Sequence, residues 1–211
     1  MSTKRTECAW RVREARTEDV DAIVGIHLLS FPGFFLTFLG ADFLCLLYSG
    51  LLKDREGILL VADQAGSLGG IVAGVTRQSG FYGRLLKGQK WRFAAAAVGA
   101  LVRRPSIAGR LLRALKRPKE ASEASEEACL MSIAVAPQAA GRGLGAALVW
   151  AFCEELRVRS VSRFCLTTDR DENGEVNAFY ARLGFELART FTTPEGRRMN
   201  EYVMTLERRD E

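Results

Sequence analysis

The glycine-rich segment at residues 138–143 is the part of the chain whose spacing most clearly predicts chemistry. It reads Gln-Ala-Ala-Gly-Arg-Gly and lies between an apolar, strand-like run and a long helical pattern. The first turn of a helix leaves backbone N–H groups without internal partners, and the helix dipole adds partial positive charge there. Gly141, Gly143 and Gly145 carry no side chain that would keep a phosphate from the backbone. Arg142 adds a positive charge, so the segment predicts a pyrophosphate-binding turn.

A packing role and two other phosphate loops are the alternatives for this turn. A glycine pair alone is more often a tight β–α turn than a binding site. A P-loop would need Lys followed by Ser or Thr at its end, and neither pair follows here. A dinucleotide-binding fold would carry an acidic residue at the ribose position of a matching βαβ unit, which this chain lacks. Pyrophosphate binding and simple packing therefore remain open.

A second pattern downstream makes the first more specific. Asn173 precedes Tyr180 by seven residues, and Gly184-Phe185 follows shortly after. Taken with Gln138-x-x-Gly141-x-Gly143 earlier in the chain, this order resembles the GNAT superfamily of acyl-CoA-dependent N-acyltransferases. Both motifs lie where that family has them, the first between a strand and a helix and the second on a later helix.

The resemblance covers residues 11–73 and 128–206 and implies an α/β (α+β) fold, with a mixed central sheet of about seven strands flanked by helices. It implies acetyl-CoA as the acyl donor and no metal. In the family the fourth strand splays from the fifth, and the pantetheine arm lies in the gap. The implied cofactor-binding residues are Ile133, Ala134 and Val135 on the strand, Gln138, Gly141, Arg142, Gly143, Leu144, Gly145 and Ala146 at the turn, and Asn173, Asn177 and Tyr180 downstream.

The implied reaction is direct attack of a primary amine on the thioester in a ternary complex. Tyr180 matches the family's tyrosine acid by position, although a packing role beside Phe179 is the alternative. A base must remove a proton from the amine, and the fourth predicted strand has no carboxylate. Glu127, just before that strand, and Asp169, at the end of the next, are the candidate bases. His27, the only histidine, is a weaker candidate for contact with the acceptor.

Hydrophobic periodicity predicts the elements that must position these residues. The order is β-α-α-β-β, an insertion, then β-α-β-α-β-β, in a single N-acetyltransferase domain over residues 1–211. Thr17 is predicted to cap the first helix. The predicted strands are 10–15, 58–62, 68–75, 129–136, 164–168, 185–192 and 198–206, and the later helices are 35–52, 144–158 and 175–183. The insertion, residues 78–127 between strands 3 and 4, is predicted to hold helices at 91–102 and 107–115 and a polar linker at 118–127.

The insertion is strongly basic. No Asp or Glu lies between Gln64 and Lys119, whereas this stretch holds 12 of the 30 Lys and Arg residues. The rest of the chain has 18 basic and 25 acidic residues, so the positive charge is concentrated in one segment. Such a segment favours an anionic partner: a small or medium anionic acceptor such as a nucleotide-linked amino sugar, or an anionic membrane surface. No nucleic-acid motif is present, so no nucleic-acid partner is predicted. A solvated face and a lid packed over the site are the alternatives.

The remaining features bound the location and the assembly. The five cysteines have no metal-like or redox-like spacing, which predicts a reducing cytoplasm and no disulfide framework. The polar N-terminus is not typical of a signal peptide, and residues 34–52 are predicted to form a buried helix rather than a membrane span. A cytoplasmic transferase follows, with the membrane surface as a peripheral location. Edge strands make a homodimer plausible. The competing function is a non-catalytic acyl-CoA-binding or membrane-associated sensor module.

Overall fold

A seven-stranded mixed sheet with helices on both faces forms the centre of the chain. The computed structural model describes residues 10–103 and 126–207 of the 211 residues. The strand order is β1-β2-β3-β4-β5-β7-β6, which confirms the predicted fold class. The strands are β1 (Arg11–Glu14), β2 (Gly57–Gln64), β3 (Ser67–Val75), β4 (Ala128–Val135), β5 (Arg163–Asp169), β6 (Glu186–Thr192) and β7 (Arg198–Thr205).

Three helices lie between β1 and β2, and two more precede the undescribed part of the insertion. They are α1 (Val20–Ser30), α2 (Phe35–Leu39), α3 (Ala41–Lys53), α4 (Phe81–Leu86) and α5 (Lys90–Arg103). The structure confirms a helix at the predicted 91–102. The predicted helix at 107–115 and most of the predicted linker at 118–127 lie outside the described residues.

Two helices in the second half carry the sequence motifs. The α6 helix (Leu144–Val158) begins and ends at the predicted residues, and α7 (Gly174–Arg182) is followed by Gly184 at φ +90°. Both helices are amphipathic, with Leu148, Phe152 and Leu156 of α6 fully buried against the sheet. Each motif therefore lies at the start of a helix or along it, as the sequence predicts.

A β-bulge divides β4 into two parts. Ser132 is paired with Ala73 of β3 and Leu130 with Gly74, so Met131 is an extra residue on β4. A bulge bends its strand and increases the local twist. The register of β4 against β3 continues on both sides of Met131, so the bulge redirects the strand without ending it.

The core consists of two layers, one on each face of the sheet. The α6 and α7 helices cover one face, where Phe152 and Phe164 pack edge to face at 5.5 Å between ring centroids. The α1, α3 and α4 helices cover the other face. Phe43 of α3 and Phe93 of α5 are in edge contact at 5.2 Å, so α5 packs on the outside of that layer.

Two local predictions were wrong. Thr17 does not cap α1: the residues before that helix form a 3-10 turn, in which the carboxylate of Asp19 accepts hydrogen bonds from the Arg16 backbone N–H and from Arg13. The predicted helix at 35–52 is divided into α2 and α3 at Gly40, which has φ +85°. That backbone conformation suits glycine and turns the chain between the two helices.

Among residues 10–103 and 126–207, none of the helices has the length and apolar character needed to span a bilayer.

Candidate functional site

The strands β4 and β5 separate next to both motifs. The two strands are parallel and pair only through Ala128 with Phe164 and Cys129 with Cys165. Beyond these pairs β5 continues to Asp169 beside β7, whereas β4 follows β3. The strands therefore separate after Cys129, just before the bulge, and the second half of β4 has an edge that no strand of the described residues occupies; this opening is the gap. The splay implied by the family resemblance is present in this chain.

The glycine turn lies at the wide end of this gap, directly after β4. Gly141 and Gly143 have φ of +75° and +74°, and a Cβ atom added at either would meet no heavy atom within 4 Å. Gly143 is the N-cap of α6, and the first hydrogen bond of that helix runs from the Ala147 N–H to the Gly143 carbonyl. The amides before Ala147 thus have no acceptor within the helix. An anion can reach them without meeting a side chain, so the turn fits a pyrophosphate.

The start of α6 also contacts both neighbouring elements of the gap. A Cβ atom on Gly145 would lie 3.4 Å from the ring of Phe179 on α7 and 3.9 Å from the side chain of Val135 on β4. These are ordinary contact distances, so the start of α6 lies directly against both α7 and the end of β4. This contact places the two sequence motifs at one site.

Asn177 holds α7 to the neighbouring strands. Its amide nitrogen donates to the carbonyls of Asp169 and Asn173 at 2.9 and 2.7 Å. Its oxygen accepts hydrogen bonds from Asn200 at 2.9 Å and Tyr202 at 3.0 Å, both on β7. Because every hydrogen-bonding position of the Asn177 amide is used inside the protein, its side chain positions α7. Direct contact of Asn177 with a cofactor stays a prediction.

Asn173 lies at the N-cap of α7, at the wide end of β5. Its amide nitrogen donates to the Thr168 hydroxyl at 2.8 Å and to the Asp169 carbonyl at 3.0 Å. These two bonds use both N–H groups and fix the amide plane. The side-chain oxygen of Asn173 lies on the other side of the amide from these two N–H groups, where it can accept a hydrogen bond from an amide of a ligand.

Tyr180 is buried on the face of α7 that packs on the sheet. Its ring lies 5.4 Å from that of Phe185 and 6.0 Å from that of Tyr202 between centroids. Burial raises the pKa of Tyr180 to about 12, so the phenol keeps its proton at neutral pH. Tyr180 therefore packs in the core, and its phenol also keeps the proton that a catalytic acid would donate.

The two candidate carboxylates are each neutralised by an arginine. Glu127 pairs with Arg163 at 3.0 Å, at the end of the strands where β4 and β5 are still paired. Asp169 pairs with Arg197 through two hydrogen bonds of 2.6 and 3.1 Å at the opposite end. The structure thus places them at opposite ends of β5 rather than together. Their predicted role as bases stays a prediction.

A buried polar pair that sequence reasoning missed lies in the opposite layer. Nδ1 of His27 on α1 lies 2.7 Å from the hydroxyl of Tyr48 on α3. His27 and Tyr48 are each 2% exposed, and Nε2 of His27 has no partner among the described residues. Burial lowers the pKa of His27 to about 4. The only sequence signal was the singular histidine on an apolar helix.

A model of the Acetyltransferase (GNAT) family matches residues 21–185, which include the gap, the glycine turn and α7. The chain belongs to this family. It is an acyl-CoA-dependent N-acetyltransferase, and acetyl-CoA is its acyl donor. The cofactor-binding roles of the glycine turn, of β4 and of the helix that carries Tyr180 stay predictions.

Solved structures share the fold. A protein from Desulfovibrio desulfuricans assigned to the GNAT family is 16% identical, with a TM-score of 0.63, covering 94% of this chain and 100% of its own. The ribosomal-protein-S18-alanine N-acetyltransferase of Escherichia coli is 16% identical, with a TM-score of 0.58, covering 96% and 97%. YncA of Salmonella typhimurium, solved with its cofactor acetyl-CoA, is 14% identical, with a TM-score of 0.57, covering 96% of each chain. No curated relative matches the chain in sequence.

The buried His27 should make the stability of the GNAT domain depend on pH. Its pKa is about 4 in the folded chain against an ordinary value of 6.5, so below pH 6.5 the unfolded chain binds a proton that the folded chain does not. Stability is then lost as the pH falls from 6.5 towards 4. Between pH 7 and pH 5 the free energy of unfolding should fall by about 2 kcal/mol through His27 alone. Urea unfolding of the wild type and His27→Gln at both pH values measures it.

The comparison isolates His27 because every other titrating group is common to both proteins. The free energy of unfolding of His27→Gln should fall less between pH 7 and pH 5 than that of the wild type, by that amount. Equal losses in the two proteins would show that His27 titrates normally in the folded chain.

Proposed function

We propose that this acetyltransferase transfers the acetyl group to a primary amine of a small or medium, anionic acceptor by direct attack in a ternary complex. The observation that supports it most is a glycine turn open to an anion beside an unpaired strand edge on β4, with the start of α6 packed through Gly145 against Phe179 of α7, the helix that carries the buried, protonated Tyr180. Acetyl-CoA supplies an acetyl thioester, and the protein must bind it, orient the amine and protonate the leaving sulfur.

The cofactor would be held along its length by groups already in place. The amides from Gly141 to Ala146, with Arg142 and Gln138, would take the pyrophosphate. Backbone groups of Ile133, Ala134 and Val135 on the free edge of β4 would pair with the pantetheine arm as a neighbouring strand does. The side-chain amide oxygen of Asn173 would accept a hydrogen bond from the same arm.

Tyr180 would donate its phenolic proton to the departing thiolate. A main-chain N–H on β4 would stabilise the developing oxyanion, and the proton lost by the amine would leave through water. Protonation of the leaving group by a positioned side chain is worth about 10² to 10⁴ in rate. The buried phenol suits this role because it remains protonated at neutral pH.

Two substitutions of Gly143 that differ in charge test the pyrophosphate site. Asp and Asn have similar size, and both tolerate the positive φ of this residue better than other side chains, so Gly143→Asp and Gly143→Asn differ mainly in charge. We expect Gly143→Asp to weaken acetyl-CoA binding by about 100-fold relative to Gly143→Asn, because a carboxylate would face the pyrophosphate. Isothermal titration measures both affinities, and thermal melting checks that the variants fold. Equal affinities would place the pyrophosphate elsewhere.

Tyr180→Phe tests the acid and also distinguishes an enzyme from a non-catalytic module. Loss of the hydroxyl should lower kcat by about 100-fold or more while leaving the dissociation constant for acetyl-CoA unchanged. Release of free CoA thiol, with spermidine, lysine, ethanolamine and glucosamine 6-phosphate as trial amines, gives kcat. Unchanged turnover would leave Tyr180 with its packing role alone. Absence of amine-dependent thioester cleavage in the wild type would favour the acyl-CoA-binding module.

The basic insertion, residues 78–127, favours an anionic partner. Four residues on α5, at the spacing of one helix face, are exposed and apolar: Trp91 (71%), Ala95, Val98 (57%) and Val102 (77%). Lys90 and Arg92 flank Trp91 and are also exposed. An apolar stripe beside basic residues fits the interface of an anionic membrane. We infer that this face of α5 binds anionic lipid, which would place the enzyme at a membrane surface.

Vesicle binding tests the α5 surface. Sedimentation with phosphatidylcholine vesicles, with and without phosphatidylserine, should show binding only to the anionic vesicles. Lys90→Gln/Arg92→Gln should lose about 2 kcal/mol, or about 30-fold in affinity, and Val98→Ser/Val102→Ser should also weaken binding. Val158→Ser is the control, because Val158 is 80% exposed at the far end of α6. Binding of a UDP-linked amino sugar without vesicle binding would favour the nucleotide-sugar partner instead.

A further inference from the structure

Two buried cysteines lie side by side at the narrow end of the gap. Cys129 of β4 and Cys165 of β5 are partners in the strand register, and theirs is the last pair before the two strands separate. Both are free thiols, and they are 6% and 7% exposed. Both belong to the apolar layer that α1 and α3 cover. The two side chains therefore share one face of the sheet and are separated by one strand spacing.

The register permits a disulfide between these two thiols. Neighbouring strands lie about 4.8 Å apart, and the Cα atoms of most disulfides are about 4.4 to 6.8 Å apart. Cys45 lies on α3, and Cys153 lies on α6 with its sulfur 3.7 Å from the thioether of Met204, so neither is a strand partner of another cysteine. The spacing of the cysteines in the sequence does not reveal the pair, because Cys129 and Cys165 come from different strands and meet only in the sheet.

A disulfide at this position would narrow the gap. The Cβ atoms of neighbouring strand residues are about 5 Å apart, whereas a disulfide holds its two Cβ atoms about 3.8 Å apart. Closing this difference draws β4 and β5 together by about 1 Å at their last pair. The gap begins at the next residue of each strand, so the part of the gap nearest the cysteines becomes narrower.

We propose that Cys129 and Cys165 form a redox-sensitive dithiol site, which a small hydroperoxide oxidises to a disulfide that narrows the gap and weakens acetyl-CoA binding. Hydrogen peroxide is small and neutral, and the gap is its route to two thiols that are otherwise buried. The dithiol is the resting state in a reducing compartment, and the disulfide is transient there. The chemistry of the pair does not depend on the proposed function. The effect on acetyl-CoA rests on that function, because it needs the pantetheine arm to lie in the gap.

The oxidation proceeds in two steps. One sulfur, as its thiolate, attacks a peroxide oxygen and the O–O bond breaks, which leaves a sulfenic acid and a hydroxide that takes up the proton lost by the thiol. The second thiol then attacks the sulfenic sulfur, the S–O bond breaks, the S–S bond forms and water leaves. Two thiols and one hydrogen peroxide thus give one disulfide and two waters. A cellular dithiol reverses the change by thiol–disulfide exchange.

Bound acetyl-CoA and the disulfide should oppose each other. A pantetheine arm in the gap would hold β4 and β5 apart and would cover the route to the thiols. If the disulfide weakens acetyl-CoA binding by a given factor, acetyl-CoA must shift the thiol–disulfide equilibrium towards the thiols by the same factor. Two cysteines that only pack in the core would show no such coupling.

Peptide mapping of the folded wild-type chain tests the chemistry without any variant. The protein is treated with millimolar hydrogen peroxide, and the remaining thiols are then alkylated under denaturing conditions. Trypsin releases peptides 120–142 and 164–170, each of which contains one cysteine. Mass spectrometry should find these two peptides joined after oxidation and separate after reduction with a phosphine. Oxidation that leaves the two peptides unlinked would overturn the proposal.

Isothermal titration with acetyl-CoA tests the coupling. The cross-linked wild type should bind about tenfold more weakly than the reduced wild type, which is within the usual range of coupling between two sites. Cys165→Ala should bind equally well before and after peroxide treatment, because it cannot form the disulfide, and Cys129→Ala gives the same test from the other strand. Cys45→Ala is the control: it removes the most exposed cysteine of the described residues and should respond as the wild type does. A loss in Cys165→Ala and Cys129→Ala as large as in the wild type would contradict the proposal.

The two tests separate this inference from the proposed function. If the reduced wild type does not bind acetyl-CoA, the proposed function fails, and the joined peptides still decide whether the two cysteines form a dithiol site. If the reduced and the cross-linked wild type bind acetyl-CoA equally well, the proposed function stands and the coupling to the disulfide is wrong.

Discussion

The incomplete pairing of β4 with β5 is the constraint on which the rest of the site depends. Only two residue pairs join the strands before they diverge, so the second half of β4 carries backbone N–H and C=O groups on an edge that no strand covers within residues 10–103 and 126–207. Such an edge is costly if it stays dry and is a ready template for another extended chain. A pantetheine arm has amide groups that can use this edge. The bulge at Met131 creates the opening while β3 continues to hold the strand.

Close contacts and hydrogen bonds hold the elements on both sides of this opening. On one face, α6 approaches the sheet so closely that a Cβ atom on Gly74 would lie 2.5 Å from the ring of Phe152. On the side of β5, the Asn177 side chain makes four hydrogen bonds. It donates to the carbonyls of Asp169 and Asn173 and accepts from Asn200 and Tyr202 of β7. The opening is thus bordered by close packing and by a fully satisfied polar network, both of which resist closure.

The sequence predicted what local rules determine and missed what distant contacts determine. Both ends of α6 were predicted because a glycine-rich turn precedes it and its apolar face repeats at the helical period. The break at Gly40 was missed because the apolar pattern runs through it, and a glycine within such a pattern does not by itself end a helix. The bulge depends on the register between strands more than 50 residues apart. The contact of His27 with Tyr48 joins two helices whose sequence patterns are both those of ordinary core segments.

The charges around the gap explain why the polar chemistry falls to neutral groups. The two nearby carboxylates that could act as bases are each paired with an arginine, Glu127 with Arg163 and Asp169 with Arg197. A free carboxylate beside the amine would stabilise the ammonium ion and raise the pKa of the nucleophile, which would reduce its reactive fraction. A phenol and an amide hydrogen-bond to substrates without this effect. Under the proposed function, the neutral side chains of Tyr180 and Asn173 would therefore leave the amine in its deprotonated form, the form that can attack a thioester.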